Sequence, residues 1–179
     1  QAERANPLYR AFQTGFQTLS PVKAETTFAS AIQIGDPVSL RRAIRALKAT
    51  DGVVEQASEE ALMDACARAD RTGLFTCPHT GVALAALDKL VAAGTIDRAA
   101  SVVVVSTAHG LKFTEFKRAY HMSELEGATS RQANVPIEMA AGIVRSGASA
   151  GWSTRVSHPA YTPSRGTRPT ESGPRLAVG

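Results

Sequence analysis

The sequence predicts an α/β fold in which short parallel strands alternate with helices. Apolar segments at 53–55, 74–76 and 102–105 are separated by longer segments with helical periodicity, which gives the order βαβαβ. Val102–Val105 is fully apolar, as is typical of a strand buried on both faces of a parallel sheet. Because crossovers between parallel strands are right-handed, we expect these strands to lie side by side in one open sheet.

Two helices are predicted before the first strand. Asn6 and Pro7 are a typical helix start, and the helix is expected to run to about Thr18. Asp36-Pro37 precedes an amphipathic helix over Arg41–Ala49.

The middle of the chain supplies the alternating elements. After the strand Val53–Glu55, Ser58 is a good N-cap, with Glu59 and Glu60 in the first helical turn. The helix that follows carries one apolar stripe, at Leu62, Ala65, Cys66 and Ala69. After the strand Leu74–Thr76, a largely apolar helix is predicted over Gly81–Ala93, with Gly94 as its stop signal.

Composition narrows the class of protein. The 179 residues are 44% hydrophobic and 20% charged, enough for one packed domain. No apolar run reaches the ~18 to 20 residues of a membrane helix. Two cysteines cannot form a disulfide framework, which favours a reducing compartment. The first residue is Gln1 and no leader pattern follows it, so we expect any targeting segment to be absent from this stretch.

Charge separates the body from a tail. The net charge is +4, yet residues 1–140 carry 15 basic and 15 acidic side chains, while residues 141–179 carry five arginines against Glu171. The balanced body gives no reason to expect nucleic acid or an anionic membrane as a partner. Twenty of the 39 tail residues are Gly, Pro, Ser or Thr, so we expect a loose or disordered tail. Binding of RNA by the tail is a weaker alternative, because aromatic residues are not interleaved with its arginines.

Three polar segments are candidates for a site. Residues 76–81 and 106–112 each follow a strand, at the sheet edge where ligands bind in α/β folds. Residues 26–36 form a third segment, rich in small residues that allow close approach of the backbone to a flat ligand.

Each candidate also has a plainer interpretation. Cys77, His79 and His109 fit no standard zinc spacing and lack a fourth ligand, so we expect no metal. A nucleophilic pair of Cys77 and His109 is less favoured than a small buried cysteine beside proline. Thr80, at the predicted helix start, is by default an N-cap.

Four phrases, in order, are similar to threonine synthase in the form shared by plants and a group of bacteria. They are Asn6–Tyr9, Phe28–Ser39, Cys77–Leu84 and Ser106–Phe113, and the resemblance extends over about residues 1–140. It implies that residues 1–140 are the C-terminal part of the large domain of a fold-type II pyridoxal-phosphate (PLP) enzyme. Residues 141–179 do not resemble the family's end.

The resemblance also implies the reaction and its site. Threonine synthase converts O-phospho-L-homoserine and water to L-threonine and phosphate with PLP as cofactor. Thr80 matches the hydroxyl residue that faces the pyridine nitrogen, and Ala31 and Ile32 match the loop along the cofactor's edge. His79 and His109 are expected near the site, with a structural role for His109 equally compatible.

The resemblance assigns no catalytic residue within the chain. None of its lysines stands in a context that matches the lysine forming the Schiff base, so we expect that lysine outside this sequence and no activity from the chain alone. The lysines are Lys23, Lys48, Lys89, Lys112 and Lys117.

Two rival functions stay open. One is another fold-type II enzyme, similar to threonine dehydratase or cysteate synthase. The other is a non-catalytic truncated product or interaction module. The expected partners are the small-molecule substrate and a second copy in a homodimer, without nucleic acid or membrane. The expected compartment is the bacterial cytoplasm, or the plastid stroma in a plant or alga.

Overall fold

A computed structural model of the protein describes residues 1–135 and the backbone of Ala177–Val178. Five α-helices lie in this part of the chain: α1 (Pro7–Gln13), α2 (Leu40–Thr50), α3 (Glu59–Arg71), α4 (Pro78–Ala92) and α5 (Thr114–His121). Short 3₁₀ turns occupy Glu3–Ala5, Ser30–Ile32 and Gly110–Phe113. None of the described helices is both long enough and apolar enough to cross a membrane.

Helix α3 begins as the sequence predicts. The Ser58 backbone is extended, and its Oγ accepts a hydrogen bond from the Ala61 amide at 3.3 Å. Glu59 and Glu60 lie in the first turn, where carboxylates favour the positive end of the helix dipole. The predicted cap is therefore confirmed.

Helix α4 begins three residues earlier than predicted, at Pro78 rather than Gly81. Cys77 is its N-cap, and Pro78 fits the first helical position because proline has no amide hydrogen to satisfy. Thr80 therefore lies inside the first turn, and its interpretation as an N-cap is wrong.

The end of α4 is a Schellman motif. Gly94 has a φ of +71°, its amide donates to the Val91 carbonyl at 3.1 Å, and the Thr95 amide donates to the Leu90 carbonyl at 2.9 Å. A positive φ suits glycine, so the predicted stop signal is confirmed.

The core lies mainly between α3 and α4. Leu62, Met63 and Cys66 on α3 and Val82 on α4 are buried. The helices approach closely at Gly81, where an added methyl group would lie 2.5 Å from Cys66 Sγ and 2.6 Å from the Leu62 carbonyl oxygen. Glycine is therefore the residue that this crossing permits.

The first two helices keep their predicted positions with changed lengths. Helix α1 ends at Gln13 instead of about Thr18, because Gly15 and Phe16 both have positive φ values, 60° and 63°, and reverse the chain. Helix α2 is one residue longer at each end than predicted.

The open sheet of three parallel strands is not found in the described residues. Segments 53–55 and 74–76 are not strands there, and β1 (Val103–Val104) pairs in parallel with β2 (Ala177–Val178). A strand needs a neighbouring strand to which its backbone groups can hydrogen-bond. In these two segments, backbone groups bind other partners. The Thr76 amide donates to Asp70 Oδ1 at 3.2 Å, and the Glu55 carbonyl accepts from the N-terminal ammonium of Gln1 at 2.6 Å.

Burial of the Val102–Val105 segment also differs from the prediction. Val103 is 75% exposed and Val105 is 58% exposed, whereas Val102 and Val104 are partly buried. This alternation is that of a strand with one covered face, and α4 packs against β1. The predicted loose tail, residues 141–179, lies outside the described residues apart from the backbone of β2.

Candidate functional site

Two of the predicted polar segments meet beside the N-terminal end of α4. Thr76 and His109 form an isolated antiparallel bridge, and the Gly110 amide donates to the Phe75 carbonyl at 2.9 Å. Residues 73–75 and 106–109 line a cleft of about 350 Å³ at this junction. Residues far apart in sequence thus share one concave surface.

Thr80 lies just behind this cleft. Its side chain is buried, with a relative exposure of 1%, and the residues that line the cleft do not include it. Thr80 Oγ1 lies 3.3 Å from Cys77 Sγ and 3.3 Å from Ser106 Oγ. Ser106, the neighbour of Thr80 Oγ1, is exposed and lines the cleft.

Cys77 is fully buried and caps α4 with its sulfur. The Thr80 amide donates to Cys77 Sγ at 3.5 Å, and Thr107 Oγ1 lies 3.9 Å from the same sulfur. Burial raises the pKa of this thiol, but hydrogen bonds from the Thr80 hydroxyl and amide, from His79 and from Thr107 outweigh it and lower the pKa to about 6. These contacts stabilise a thiolate.

His79 connects the third polar segment to α4. Its Nε2 accepts a hydrogen bond from the Ala31 amide at 2.9 Å, and its ring lies edge-on to Phe113 with centroids 5.5 Å apart. Ile32, the neighbour of Ala31, packs against the core cluster. The structure therefore places the predicted Ala31 loop beside the first turn of α4.

His109 has a local structural role. Its Nδ1 accepts from the Leu111 amide at 3.2 Å and caps the Gly110–Phe113 turn, while its ring lies 5.6 Å from that of Phe75. Through this hydrogen bond the His109 ring helps to hold the Gly110–Phe113 turn, which begins next to the cleft.

Sequence reasoning missed the network that holds the 74–76 segment. Lys117 on α5 donates to both carboxylate oxygens of Asp70 on α3, at 2.6 and 2.9 Å, and its Nζ lies 4.9 Å from the centre of the Phe75 ring. Lys117 is buried, with a relative exposure of 6%. No short-range signal connects residues 47 positions apart, so the pair is visible only in three dimensions.

Sequence reasoning also missed Ser106 and Thr107 as partners in the polar cluster. Both were part of a predicted polar segment, but their hydroxyl contacts with Thr80 and Cys77 depend on the packing of 106–109 against α4. A run of Ser-Thr after a strand was the available signal.

Comparison with known proteins identifies threonine synthases among the relatives of this chain. Residues 1–108 match the family described as pyridoxal-phosphate dependent enzyme. The chain is 57% identical over 142 residues to "Threonine synthase 2, chloroplastic" of Arabidopsis thaliana, a match that covers 79% of this chain and 28% of that protein.

Archaeal relatives share the same region. The chain is 35% identical over 113 residues to "Threonine synthase" of Methanocaldococcus jannaschii and 34% identical over 113 residues to that of Methanosarcina acetivorans. Each match covers 63% of this chain, and the chain spans 28% of the length of each of these relatives. The resemblance predicted from the four sequence phrases is confirmed.

Proposed function

We propose, because this chain belongs to the pyridoxal-phosphate dependent enzyme family, that residues 1–140 correspond to the C-terminal part of the large, PLP-binding domain of a threonine synthase. The proposed reaction converts O-phospho-L-homoserine and water to L-threonine and phosphate. The family is PLP-dependent, and the PLP predicted from the resemblance is confirmed as its cofactor.

The single observation that carries the proposal is the chemistry of the groups that surround the Thr80 hydroxyl, which are a thiol and a second hydroxyl. Thr80 Oγ1 lies between a thiol and a hydroxyl, and no carboxylate hydrogen-bonds to it within the described residues. A neutral hydroxyl donates to an unprotonated ring nitrogen, whereas a carboxylate would favour the protonated ring. The residues present therefore fit the pyridine nitrogen of PLP.

The first turn of α4 supports the same assignment. Its amides and dipole place partial positive charge near Thr80, which disfavours a second positive charge on a ring nitrogen held there. When bound, PLP supplies an electron sink for negative charge developing on the substrate. The role of this chain is to bind and orient the ring: Thr80 as donor, Ser106 at the cleft surface and the Ala31–Ile32 loop along the edge.

None of the lysines within residues 1–135 matches the lysine that bonds to PLP in this family. Lys117 is buried, but both oxygens of Asp70 hold it. We therefore expect PLP binding and turnover to need the lysine-bearing part of a threonine synthase, and the chain alone to be inactive. Phosphate release from O-phospho-L-homoserine by the complete enzyme tests the reaction, and activity on threonine or serine instead would favour a dehydratase.

Thr80→Val tests the cofactor contact. Valine keeps the shape and removes the donor. We therefore expect the complete enzyme to lose about 1 to 3 kcal/mol of PLP-binding free energy, an affinity about fivefold to 150-fold weaker, with the fold retained. Thr50→Val is the matched control, because the Thr50 hydroxyl bonds to the Ala46 carbonyl on exposed α2. If both variants bind PLP like the wild type, Thr80 does not contact the ring.

The proposal also includes a compartment and an oligomeric state. The plant relative is named as chloroplastic, which favours the plastid stroma over the bacterial cytoplasm. Cell fractionation distinguishes these two compartments, and sedimentation of the complete enzyme tests the expected homodimer.

A further inference from the structure

Three polar side-chain atoms form a short chain at the start of α4. Cys77 Sγ lies 3.3 Å from Thr80 Oγ1, and Thr80 Oγ1 lies 3.3 Å from Ser106 Oγ. Thr80 is buried, so its hydroxyl depends on these neighbours for its hydrogen bonds.

The number of hydrogens in this chain limits what Thr80 can do. A threonine hydroxyl has one hydrogen to donate and two lone pairs. If that hydrogen goes to the ring nitrogen of PLP, every other partner of Thr80 Oγ1 must donate to it. Ser106 can do so, because its hydroxyl is exposed and free to rotate. Cys77 can do so only as a thiol, since a thiolate has no hydrogen and would accept the one that Thr80 carries.

We propose that Cys77 is a positioning residue for the cofactor: as a thiol it donates to Thr80 Oγ1 and leaves the Thr80 hydrogen for the pyridine nitrogen, and as a thiolate it takes that hydrogen. This inference rests on the proposed function, in which Thr80 faces the ring. Cys77 itself does not contact the cofactor in this scheme. It sets the direction of the Thr80 O–H bond.

The surroundings of Cys77 make its protonation state adjustable. The titratable groups that face it are His79 on α4 and the Cys66 thiol on α3, which donates to the Cys77 carbonyl at 3.4 Å; Lys117 and Asp70 act on Cys66. Hydrogen bonds lower the pKa of Cys77 to about 6 despite burial. At this pKa Cys77 is a thiolate at neutral pH when PLP is absent, so in this scheme Cys77 takes up a proton when PLP binds.

Cys77→Ser separates this role from helix capping. Serine caps a helix at least as well as cysteine and carries a hydroxyl that donates but does not ionise. In the complete enzyme, the PLP affinity of the wild type is divided by that of Cys77→Ser at each pH. We expect this ratio to fall by about tenfold per pH unit above pH 6, because the fraction of Cys77 present as the thiol falls in the same way. Taking the ratio removes the ionisations of PLP itself and of the lysine.

The second buried cysteine provides the control. Burial raises the pKa of Cys66 to about 11, so Cys66→Ser should follow the wild-type affinity profile through the neutral range. A second measurement uses the same pair of proteins: calorimetry of PLP binding at pH 7, in buffers of different ionisation enthalpy, should give an uptake larger by close to one proton for the wild type than for Cys77→Ser.

Parallel affinity profiles for the wild type and Cys77→Ser, or equal proton uptake by the two proteins on PLP binding, would overturn the inference. Thr80→Val distinguishes this failure from failure of the proposed function. If Thr80→Val weakens PLP binding while Cys77→Ser follows the wild type, Thr80 contacts the ring and Cys77 does not orient it. If Thr80→Val has no effect, the cofactor contact itself is wrong.

Discussion

Cys66 in the middle of α3 and Cys77 at the N-terminal end of α4 are both buried, yet their thiols differ strongly. Cys66 is closely packed, its Sγ donates to the Cys77 carbonyl at 3.4 Å, and burial raises its pKa to about 11. Around Cys77 the neighbours are hydroxyls, an amide and an imidazole, and they lower its pKa to about 6. The two regions show that exclusion of water does not decide the charge of a group when hydrogen-bond donors are available to its ionised form.

The largest expected effect comes from the ion pair that joins these regions. Lys117→Met leaves the Asp70 carboxylate, which also accepts the Thr76 amide, buried without a countercharge. We expect the free energy of unfolding to fall by about 3 to 5 kcal/mol. Chemical denaturation of the 179-residue chain measures it.

A half-exposed ion pair is the control for this loss. Lys89→Met removes a charge that lies 3.5 Å from Glu55 Oε1 near solvent, and we expect a change below about 1 kcal/mol. A similar loss from both variants would show that burial of the Lys117 pair has no special weight.

A smaller effect is expected at the helix crossing. Gly81→Ala places a methyl group against Cys66 Sγ and the Leu62 carbonyl, and helix α3 must move to admit it. We expect a loss of about 1 to 3 kcal/mol in thermal or chemical unfolding.

Gly52→Ala is its matched control. There the nearest atom to an added methyl group is the flexible end of the Leu47 side chain, which can shift. Equal stability of Gly81→Ala and the wild type would mean that the α3–α4 crossing is looser than its geometry indicates.

The smallest expected effect, counted per pH unit, is on the free energy of unfolding, and it has opposite sign for the two thiols. Folding lowers the pKa of Cys77 from the ordinary 9.0 to about 6, so its stabilisation is present above pH 9 and is lost as the pH falls to 6. Folding raises the pKa of Cys66 to about 11, so its contribution is present below pH 9 and is lost as the pH rises to 11. Each slope is at most about 1.4 kcal/mol per pH unit.

Unfolding free energies of the wild type, Cys77→Ser and Cys66→Ser across this range measure both slopes. Relative to Cys77→Ser, the wild type should gain stability between pH 6 and 9; relative to Cys66→Ser, it should lose stability between pH 9 and 11. Slopes of the same sign would remove the contrast between the two regions.

Sequence reasoning succeeded where the signal was local. The cap at Ser58, the stripe that includes Leu62 and the stop at Gly94 each depend on residues within a few positions, and α3 and α4 formed as periodicity predicted. Of the three predicted strands, Val103–Val104 formed and pairs in parallel with Ala177–Val178, whereas 53–55 and 74–76 did not form, because an apolar segment becomes a strand only with a partner. In the 74–76 segment, the Thr76 amide donates to the Asp70 carboxylate instead of to a neighbouring strand, and no local sequence pattern indicates this hydrogen bond.

The candidate site divides in the same way. Thr80 and the Ala31 loop were found from motifs, and the structure places both at the first turn of α4. Ser106 was missed because its contact with Thr80 depends on how segment 106–109 packs against α4. The capping role of Cys77 was missed although its signal is local, since Pro78 suits the first position of a helix. Whether Thr80, Ala31 and Ile32 bind the cofactor stays a prediction.

The short connection between α3 and α4 has a consequence for how the chain reaches its native state. Residues 72–77 alone join these helices, so their contacts close a small loop at little entropic cost. We therefore expect the helix pair, and with it Cys66, to become ordered early in folding. Ser106 and His109 come from farther along the chain and would join later. A nascent chain would then carry a formed helical core before the cleft lined by residues 106–109 is complete.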